Sequence, residues 1–148
     1  INMKTIIFVC TGGSCRSPMA ESILTQKLKE NNIKNYQVLS AGLNVVPNSK
    51  IEKNAIKTLK ALGFKPPKHK CVQLTSEMCK NSLIIAISTA HKDFLSNLKN
   101  VISLNDFYSG IDIPDPYGKN LDAYIKTAKI LEFILSEIIE NIKEGNLW

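Results

Sequence analysis

The sequence predicts an α/β fold: a three-layer sandwich in which a four-stranded parallel sheet carries helices on both faces. Short apolar runs rich in β-branched residues alternate with longer segments whose apolar residues recur at helical spacing. A glycine-containing loop follows the first apolar run and leads directly into a helix, an order typical of such sheets. With 148 residues and no internal repeat, the chain is expected to form one domain over residues 1–148.

The predicted strands are short apolar runs that end at glycine or polar residues. They are Lys4–Val9, Tyr36–Ser40, Leu83–Ser88 and Val101–Leu104. Helical segments separate them, so parallel pairing is the economical arrangement. Ligands of such sheets gather beyond the carboxyl ends of the strands, and the first loop lies there.

The predicted helices follow from apolar spacing and capping residues. The first has Ser17 as N-cap and Pro18 at the first helical position, and it continues to Asn31. The others are Ile51–Leu62, stopped by Gly63; a short helix capped by Thr75 that runs through Cys79; His91–Leu98; and the amphipathic Leu121–Lys143.

Composition narrows the class of protein. Apolar residues make up 44% and charged residues 22% of the chain, no apolar segment approaches bilayer length, and no signal peptide is recognisable. We therefore expect a cytoplasmic protein without a membrane partner, and its four cysteines are expected as reduced thiols. The net charge of +6 favours anionic partners, but the lysines are dispersed and no basic–aromatic pattern predicts nucleic-acid binding.

The stretch VCTGGSCRS, residues 9–17, has the composition of an oxyanion site. A glycine loop before a helix can point successive N–H groups inward, and the helix dipole adds positive potential. Cys10 stands at the mouth of this loop, and the Arg16 guanidinium can hold two oxygens of a tetrahedral anion. The same charges favour the thiolate form of Cys10, a nucleophile. Ser17 either stabilises that thiolate or caps the helix.

The stretch DIPDPYG, residues 112–118, offers a proton donor. Prolines stiffen this loop on both sides of Asp115, which we predict to be the general acid, and Tyr117 is placed to form one wall of a substrate slot. His69 and His91 are isolated in the sequence and receive no catalytic role.

These residues resemble the low-molecular-weight protein tyrosine phosphatases over nearly the whole chain. VCTGGSCRSPMAE is similar to the family's phosphate loop and following helix, SAG at residues 40–42 to the end of its second strand, and DPYG at residues 115–118 to its acid loop. The resemblance implies the phosphotyrosine protein phosphatase I-like fold and a phosphorylated protein substrate, with phosphate or another oxyanion bound in the loop.

The resemblance also implies roles for individual residues. Cys10 would attack phosphorus, Arg16 would bind the phosphoryl oxygens, Ser17 would stabilise the thiolate and Asp115 would protonate the leaving group, with no metal or cofactor. Cys15 would be a redox partner that forms a disulfide with Cys10 under peroxide, or simply a packed thiol. The phosphate-binding loop would comprise Thr11, Gly12, Gly13, Ser14 and Cys15, and the substrate pocket Ser14, Asn44, Val45 and Tyr117.

One departure concerns Gly13, where the family usually has an asparagine in a left-handed conformation that is tied to the serine of SAG. Glycine adopts this conformation without strain but provides no side chain for the tie. We therefore expect a looser loop and a different partner, or water, for Ser40.

The sequence leaves several functions open. Ser14 stands where the tyrosine-specific branch has a bulky aliphatic residue and the arginine phosphatase branch has threonine, so we favour phosphoarginine slightly over phosphotyrosine as the substrate. A thiol-dependent arsenate reductase is a third candidate, but Cys71 and Cys79 precede the third strand, whereas the reductase cysteines are expected after it. A non-catalytic phosphoprotein-binding module is the fourth candidate.

Overall fold

The computed structural model describes residues 3–108 and 112–148, and its sheet confirms the predicted fold class. The strands β1 (Lys4–Cys10), β2 (Tyr36–Gly42), β3 (Ser82–Ala86) and β4 (Val101–Ser103) pair in parallel in the order β2-β1-β3-β4. The β1–β2 pairing runs from Lys4 opposite Tyr36 to Cys10 opposite Gly42, so both strands reach further than the sequence predicted. This extension brings the first loop against the end of β2.

Five α-helices cover the sheet in residues 3–108 and 112–148. They are α1 (Arg16–Glu30), α2 (Lys53–Ala61), α3 (Ser76–Cys79), α4 (Thr89–Phe94) and α5 (Leu121–Lys143), and a 3₁₀ turn at Leu104–Asp106 follows β4. In the described residues, no helix is both long enough and apolar enough to cross a bilayer.

The two faces of the sheet follow the alternation of side chains along β1. Ile6 and Phe8 are fully buried in a core shared with α1, α2 and α5. Ile7 and Val9 point to the opposite face, where a smaller cluster includes Leu95 and side chains around α3. Burial of successive residues on both faces explains why this strand is a continuous apolar run.

Three helices begin at other residues than predicted: α2 starts at Lys53 rather than Ile51, and the starts of α1 and α4 differ for a reason that the structure shows. Helix α1 begins at Arg16 with Cys15 as an uncapped N-cap, so Ser17 lies inside the helix and its hydroxyl is bound elsewhere. Strand β3 ends at Ala86, and Ser88 caps α4 by accepting a hydrogen bond from the N–H of His91. The hydroxyl of Ser88 competes successfully with strand continuation, so α4 starts at Thr89 and ends at Phe94 instead of spanning residues 91–98.

Candidate active site

The first loop occupies residues 11–15, between the carboxyl end of β1 and the start of α1. Gly13 has a φ of +65°, and a Cβ at this position would lie 3.0 Å from the backbone nitrogen of Gly42. A Cβ at Gly42 would lie only 2.6 Å from the nitrogen of Gly13. The two glycines thus allow direct contact between the backbones of the loop and the SAG segment.

The backbone donors of this loop are free to bind a ligand. Within residues 3–108 and 112–148, no group accepts a hydrogen bond from the N–H groups of residues 12–16. These five donors precede or begin helix α1, whose dipole adds positive potential at the same place. Such an arrangement of free donors is suited to binding a compact oxyanion.

Cys10 is buried at the base of the loop, and its Sγ lies 3.0 Å from the Oγ of Ser17. The Ser17 hydroxyl also donates to the carbonyl oxygen of Ala41 at 3.1 Å. Because a hydroxyl has one proton, Ser17 accepts from the neutral thiol while it donates to Ala41, and it can turn its proton to the sulfur of a thiolate. Ser17 is therefore not the N-cap of α1, and its role in stabilising the thiolate stays a prediction.

Arg16 connects the loop to the predicted acid loop. Its guanidinium is buried, with Nη1 donating to the carbonyl oxygen of Ile113 at 3.2 Å and Nη2 lying 3.5 Å from Oδ2 of Asp115. The Asp115 side chain is 56% exposed, and its Oδ1 accepts a hydrogen bond from the N–H of Tyr117 at 3.1 Å. Cys10, Arg16 and Asp115 therefore share one site, as the sequence predicts.

A cavity of ≈ 270 Å³ opens above Cys10. Its lining includes the predicted pocket residues Ser14 and Tyr117. The full lining is Cys10, Thr11, Gly12, Ser14, Cys15, Arg16, Val46, Ser49, Lys50, Glu52, Asp115 and Tyr117. Sequence reasoning missed Ser49, Lys50 and Glu52, for which no local motif gives a signal.

Asn44 and Val45, which were predicted to line the substrate pocket, are not among the residues that line this cavity. The N–H of Asn44 donates to the carbonyl oxygen of Thr11 at 2.9 Å, so this residue supports the loop. The N–H of Val45 donates to Gln73 at 2.9 Å, and its side chain packs against Gly42. The exposed Val46 of the same loop lines the cavity instead.

Cys15 lies beneath the loop as a packed thiol. Its Sγ contacts the hydroxyl of Tyr124 at 3.4 Å and that of Ser14 at 3.6 Å, and all four cysteines are free in the structure. Burial raises the pKa of the Cys15 thiol, and burial likewise raises the pKa of Tyr124. Cys15 is therefore a neutral thiol at neutral pH, and its disulfide with Cys10 stays a prediction.

Ser40 has the alternative partner that the absence of an asparagine at position 13 led us to expect. Its hydroxyl donates to Oε1 of Glu21 at 2.5 Å, and the same oxygen lies 2.7 Å from Nε2 of His69. Burial alone would lower the pKa of His69, but hydrogen bonds to the Lys70 carbonyl and Glu21, together with the Glu21 charge, raise it. Whether this loop is looser than the family's loop stays a prediction.

His91 also contacts the site, although no motif in the sequence indicated this. It is buried between the hydroxyls of Thr11 and Ser88. Burial, reinforced by the positive charge of Arg16, lowers the pKa of His91 to about 4, although the Asp115 and Asp112 carboxylates oppose this effect. The imidazole is therefore neutral at neutral pH.

The fold and this site together define a cysteine-based phosphatase, and comparison with known proteins identifies the family. The sequence profile of the low molecular weight phosphotyrosine protein phosphatases matches residues 5–146. The chain belongs to this family and is a hydrolase of the cysteine-based tyrosine/arginine phosphatase type.

Relatives within the family carry two different substrate names. The chain is 32% identical to a protein-arginine-phosphatase of Bacillus subtilis, over 94% of this chain and 97% of the relative. It is 31% identical to a putative low molecular weight protein-tyrosine-phosphatase of Klebsiella pneumoniae, over 87% and 90% of the two chains.

A solved structure gives the same family assignment. The YwlE arginine phosphatase, as a cysteine-to-serine mutant with a phosphorylated active-site serine, superposes with a TM-score of 0.86 at 31% identity, covering 94% of this chain and 95% of that one.

Proposed function

We propose that this protein hydrolyses phosphorylated protein substrates through a phosphocysteine at Cys10. The observation that carries the proposal is the set of five unpartnered N–H groups around a buried cysteine, closed on the far side by Arg16 and Asp115. The phosphorylated active-site serine in the cysteine-to-serine mutant of YwlE supports the same chemistry.

In the first step, the Cys10 sulfur attacks phosphorus while the loop N–H groups and the Arg16 guanidinium hold the phosphoryl oxygens. The S–P bond forms and the bond from phosphorus to the leaving oxygen or nitrogen breaks. Asp115 gives its proton to that leaving atom. The hydroxyl of Ser17, 3.0 Å from the sulfur, stabilises the thiolate before attack and when it leaves.

In the second step, water attacks phosphorus and Asp115 takes up a proton from it. The S–P bond breaks, which returns the Cys10 thiolate and releases inorganic phosphate. The half-exposed position of Asp115 at the cavity mouth suits both roles, because it meets the leaving group first and water afterwards.

We favour phosphoarginine as the substrate group. A phosphorylated guanidine keeps several N–H donors, and three acceptors line the cavity around them: the carboxylates of Glu52 and Asp115 and the hydroxyl of Ser14. Phosphotyrosine is the second candidate, because the exposed side chains of Val46 and Tyr117 offer an apolar wall for a phenyl ring.

Arsenate reduction and binding without catalysis have less support. Among the described residues that line the cavity, neither Cys71 nor Cys79 is present, and the Cys79 thiol donates to the carbonyl oxygen of Thr75. A binding module requires no proton donor, yet Asp115 stands at the cavity.

The test is steady-state hydrolysis of a phosphoarginine peptide and a phosphotyrosine peptide of the same sequence context. We expect turnover of both, a higher kcat/KM for phosphoarginine, and loss of both activities in Cys10→Ser. A higher kcat/KM for phosphotyrosine would reverse the substrate assignment. No turnover of either, with arsenate reduced instead, would contradict the proposal.

A further inference from the structure

His91 occupies a position that neither capping of α4 nor burial in the core explains. Its side chain is 6% exposed, and both ring nitrogens have hydroxyl partners. Nε2 lies 2.9 Å from Oγ1 of Thr11 in the phosphate-binding loop, and Nδ1 lies 2.9 Å from Oγ of Ser88 at the start of α4. The ring therefore connects two segments that are 80 residues apart in sequence.

We propose that His91 is a positioning residue that fixes Thr11, and with it the oxyanion-binding N–H groups, to the segment that supports the acid loop. This inference deepens the proposed function. The expected effect of His91 on turnover rests on that function, whereas its expected effect on phosphate binding does not.

The chain of contacts continues from Ser88 to the acid loop. The next residue, Thr89, contacts the carboxylate of Asp112 through both its N–H and its hydroxyl, each at 3.4 Å. Asp112 stands three residues before Asp115 in the sequence. The connection thus runs from the floor of the oxyanion site to the backbone that carries the proton donor.

Thr11 is the residue through which His91 acts. Its carbonyl oxygen accepts from the N–H of Asn44 at 2.9 Å and its hydroxyl meets His91, so it is held from two sides directly after the nucleophile Cys10. The backbone that follows Thr11 carries the five unpartnered donors. Loss of the His91 contact lets this backbone shift, which weakens the binding of the oxyanion.

The neutral ring is suited to this role. A neutral imidazole has one donor and one acceptor nitrogen. Because each hydroxyl can either donate or accept, both hydrogen bonds form in either tautomer. The charged groups that influence the ring are Arg16 on α1 and Asp112 and Asp115 on the acid loop. Arg16 is positive, so a neutral His91 adds no repulsion at the site.

The chain offers a matched set of variants for the test. The amide of glutamine can take the place of Nε2 and keep the Thr11 contact, whereas that of asparagine can take the place of Nδ1 and keep only the Ser88 contact. Thr11→Val removes the same hydrogen bond from the other side with little change of shape. The measurements are the Kd of inorganic phosphate by calorimetry, kcat and KM for a phosphopeptide, and Tm.

We expect His91→Asn and Thr11→Val each to weaken phosphate binding and to lower kcat/KM by about three- to tenfold, the range for one lost hydrogen bond. The double variant should be no worse than either single variant, since both remove one contact. His91→Gln should recover most of the loss.

Three results would overturn the inference. The first is a loss of phosphate affinity and of kcat/KM in the double variant that equals the product of the losses in the two single variants. The second is a fall in Tm in His91→Asn while the Kd of phosphate stays unchanged, which would mean a structural role only. The third is an equal loss in His91→Gln and His91→Asn. If the wild-type protein does not turn over phosphopeptides, the proposed function fails, but the phosphate Kd still decides the role of His91.

Discussion

Ser17 carries one hydroxyl proton, and two acceptors compete for it: the carbonyl oxygen of Ala41 and the sulfur of Cys10. The hydrogen bond to Ala41 holds the side chain in place, and the hydroxyl can instead donate to the sulfur when Cys10 is a thiolate. The proposed mechanism uses the second state, so we expect this hydroxyl to contribute more to the reaction than to the resting fold.

We therefore predict that Ser17→Ala lowers kcat about tenfold, the cost of one hydrogen bond to a charged group, while KM changes little. Ser22→Ala is the matched control, because Ser22 is a buried serine of the same helix whose hydroxyl donates to Lys65 outside the site. Steady-state kinetics check both variants. An equal loss of kcat in the two would assign Ser17 a structural role.

Glu52 places a second carboxylate in the wall of an anion-binding cavity, which is unfavourable unless the substrate brings positive charge. We predict that Glu52→Gln lowers kcat/KM for a phosphoarginine peptide several-fold and leaves that for phosphotyrosine equal or higher. The measurement is the ratio of the two kcat/KM values, with Glu30→Gln on the exposed end of α1 as control. A parallel fall for both substrates would mean that Glu52 does not select the guanidinium.

The site divides into residues that the sequence reveals and residues that it does not. Cys10 and Arg16 were predictable because one loop of a few residues places them together. Glu52 lines the cavity and His91 contacts Thr11 only through tertiary packing, so no local spacing marks them. Asn44 and Val45 do not line the described cavity, and their backbone N–H groups are bonded to Thr11 and Gln73.

At the scale of the elements, helix and strand types followed from periodicity, but their ends depended on side chains that have a second use. Ser17 looked like an N-cap by its position before proline, yet its hydroxyl is used by Cys10 and Ala41. Ser88 looked like the end of a strand and instead caps α4. Both serines lie next to the active site, where hydrogen bonds between distant segments, rather than local sequence preferences, determine the role of each side chain.

Helix α4 carries a pH dependence of stability through His91. Its pKa is about 4 in the folded protein and ordinarily 6.5, so the folded state binds fewer protons between these values. Stability from this group is complete above pH 6.5 and falls by up to about 3 kcal/mol as pH decreases toward 4.

We predict that urea unfolding at pH 7 and pH 4.5 shows a smaller loss of unfolding free energy in His91→Gln than in the wild type. The comparison of the two proteins removes the contribution of other titrating groups. His69 acts in the opposite direction, since its raised pKa stabilises the folded state below pH 6.5 and this stabilisation is lost as pH rises through the folded value. An equal loss in both proteins would show that His91 is not buried as a neutral ring.

The whole molecule carries a net charge of +6, and its main anion site joins β1, α1 and the acid loop. An anion bound there would lie between the loop at residues 11–16 and the acid loop at residues 112–118, which are about 100 residues apart in sequence. Its binding free energy therefore stabilises the folded protein as a unit.

Inorganic phosphate at a hundred times its Kd is predicted to raise the free energy of unfolding by about 2.7 kcal/mol. For a domain of this size, the shift in Tm is about 5–10 °C. Thermal unfolding followed by circular dichroism and by the fluorescence of Trp148 should give one coincident transition, as expected for a single domain. Arg16→Ala should abolish the shift in Tm, and sodium chloride at equal ionic strength should not reproduce it. Two separate unfolding transitions would contradict the single-domain expectation.

The central claim is that Cys10 carries the phosphoryl group during turnover, and acid quenching of Asp115→Asn during reaction with a phosphopeptide tests it most directly. With the second step slowed, mass spectrometry of the quenched protein should find the mass of one added phosphoryl group on the peptide that contains Cys10, and none on that peptide in Cys10→Ala, which has no nucleophile at this position. Steady turnover by Cys10→Ser, or a phosphoryl group on a different residue of the wild-type protein, would contradict the account.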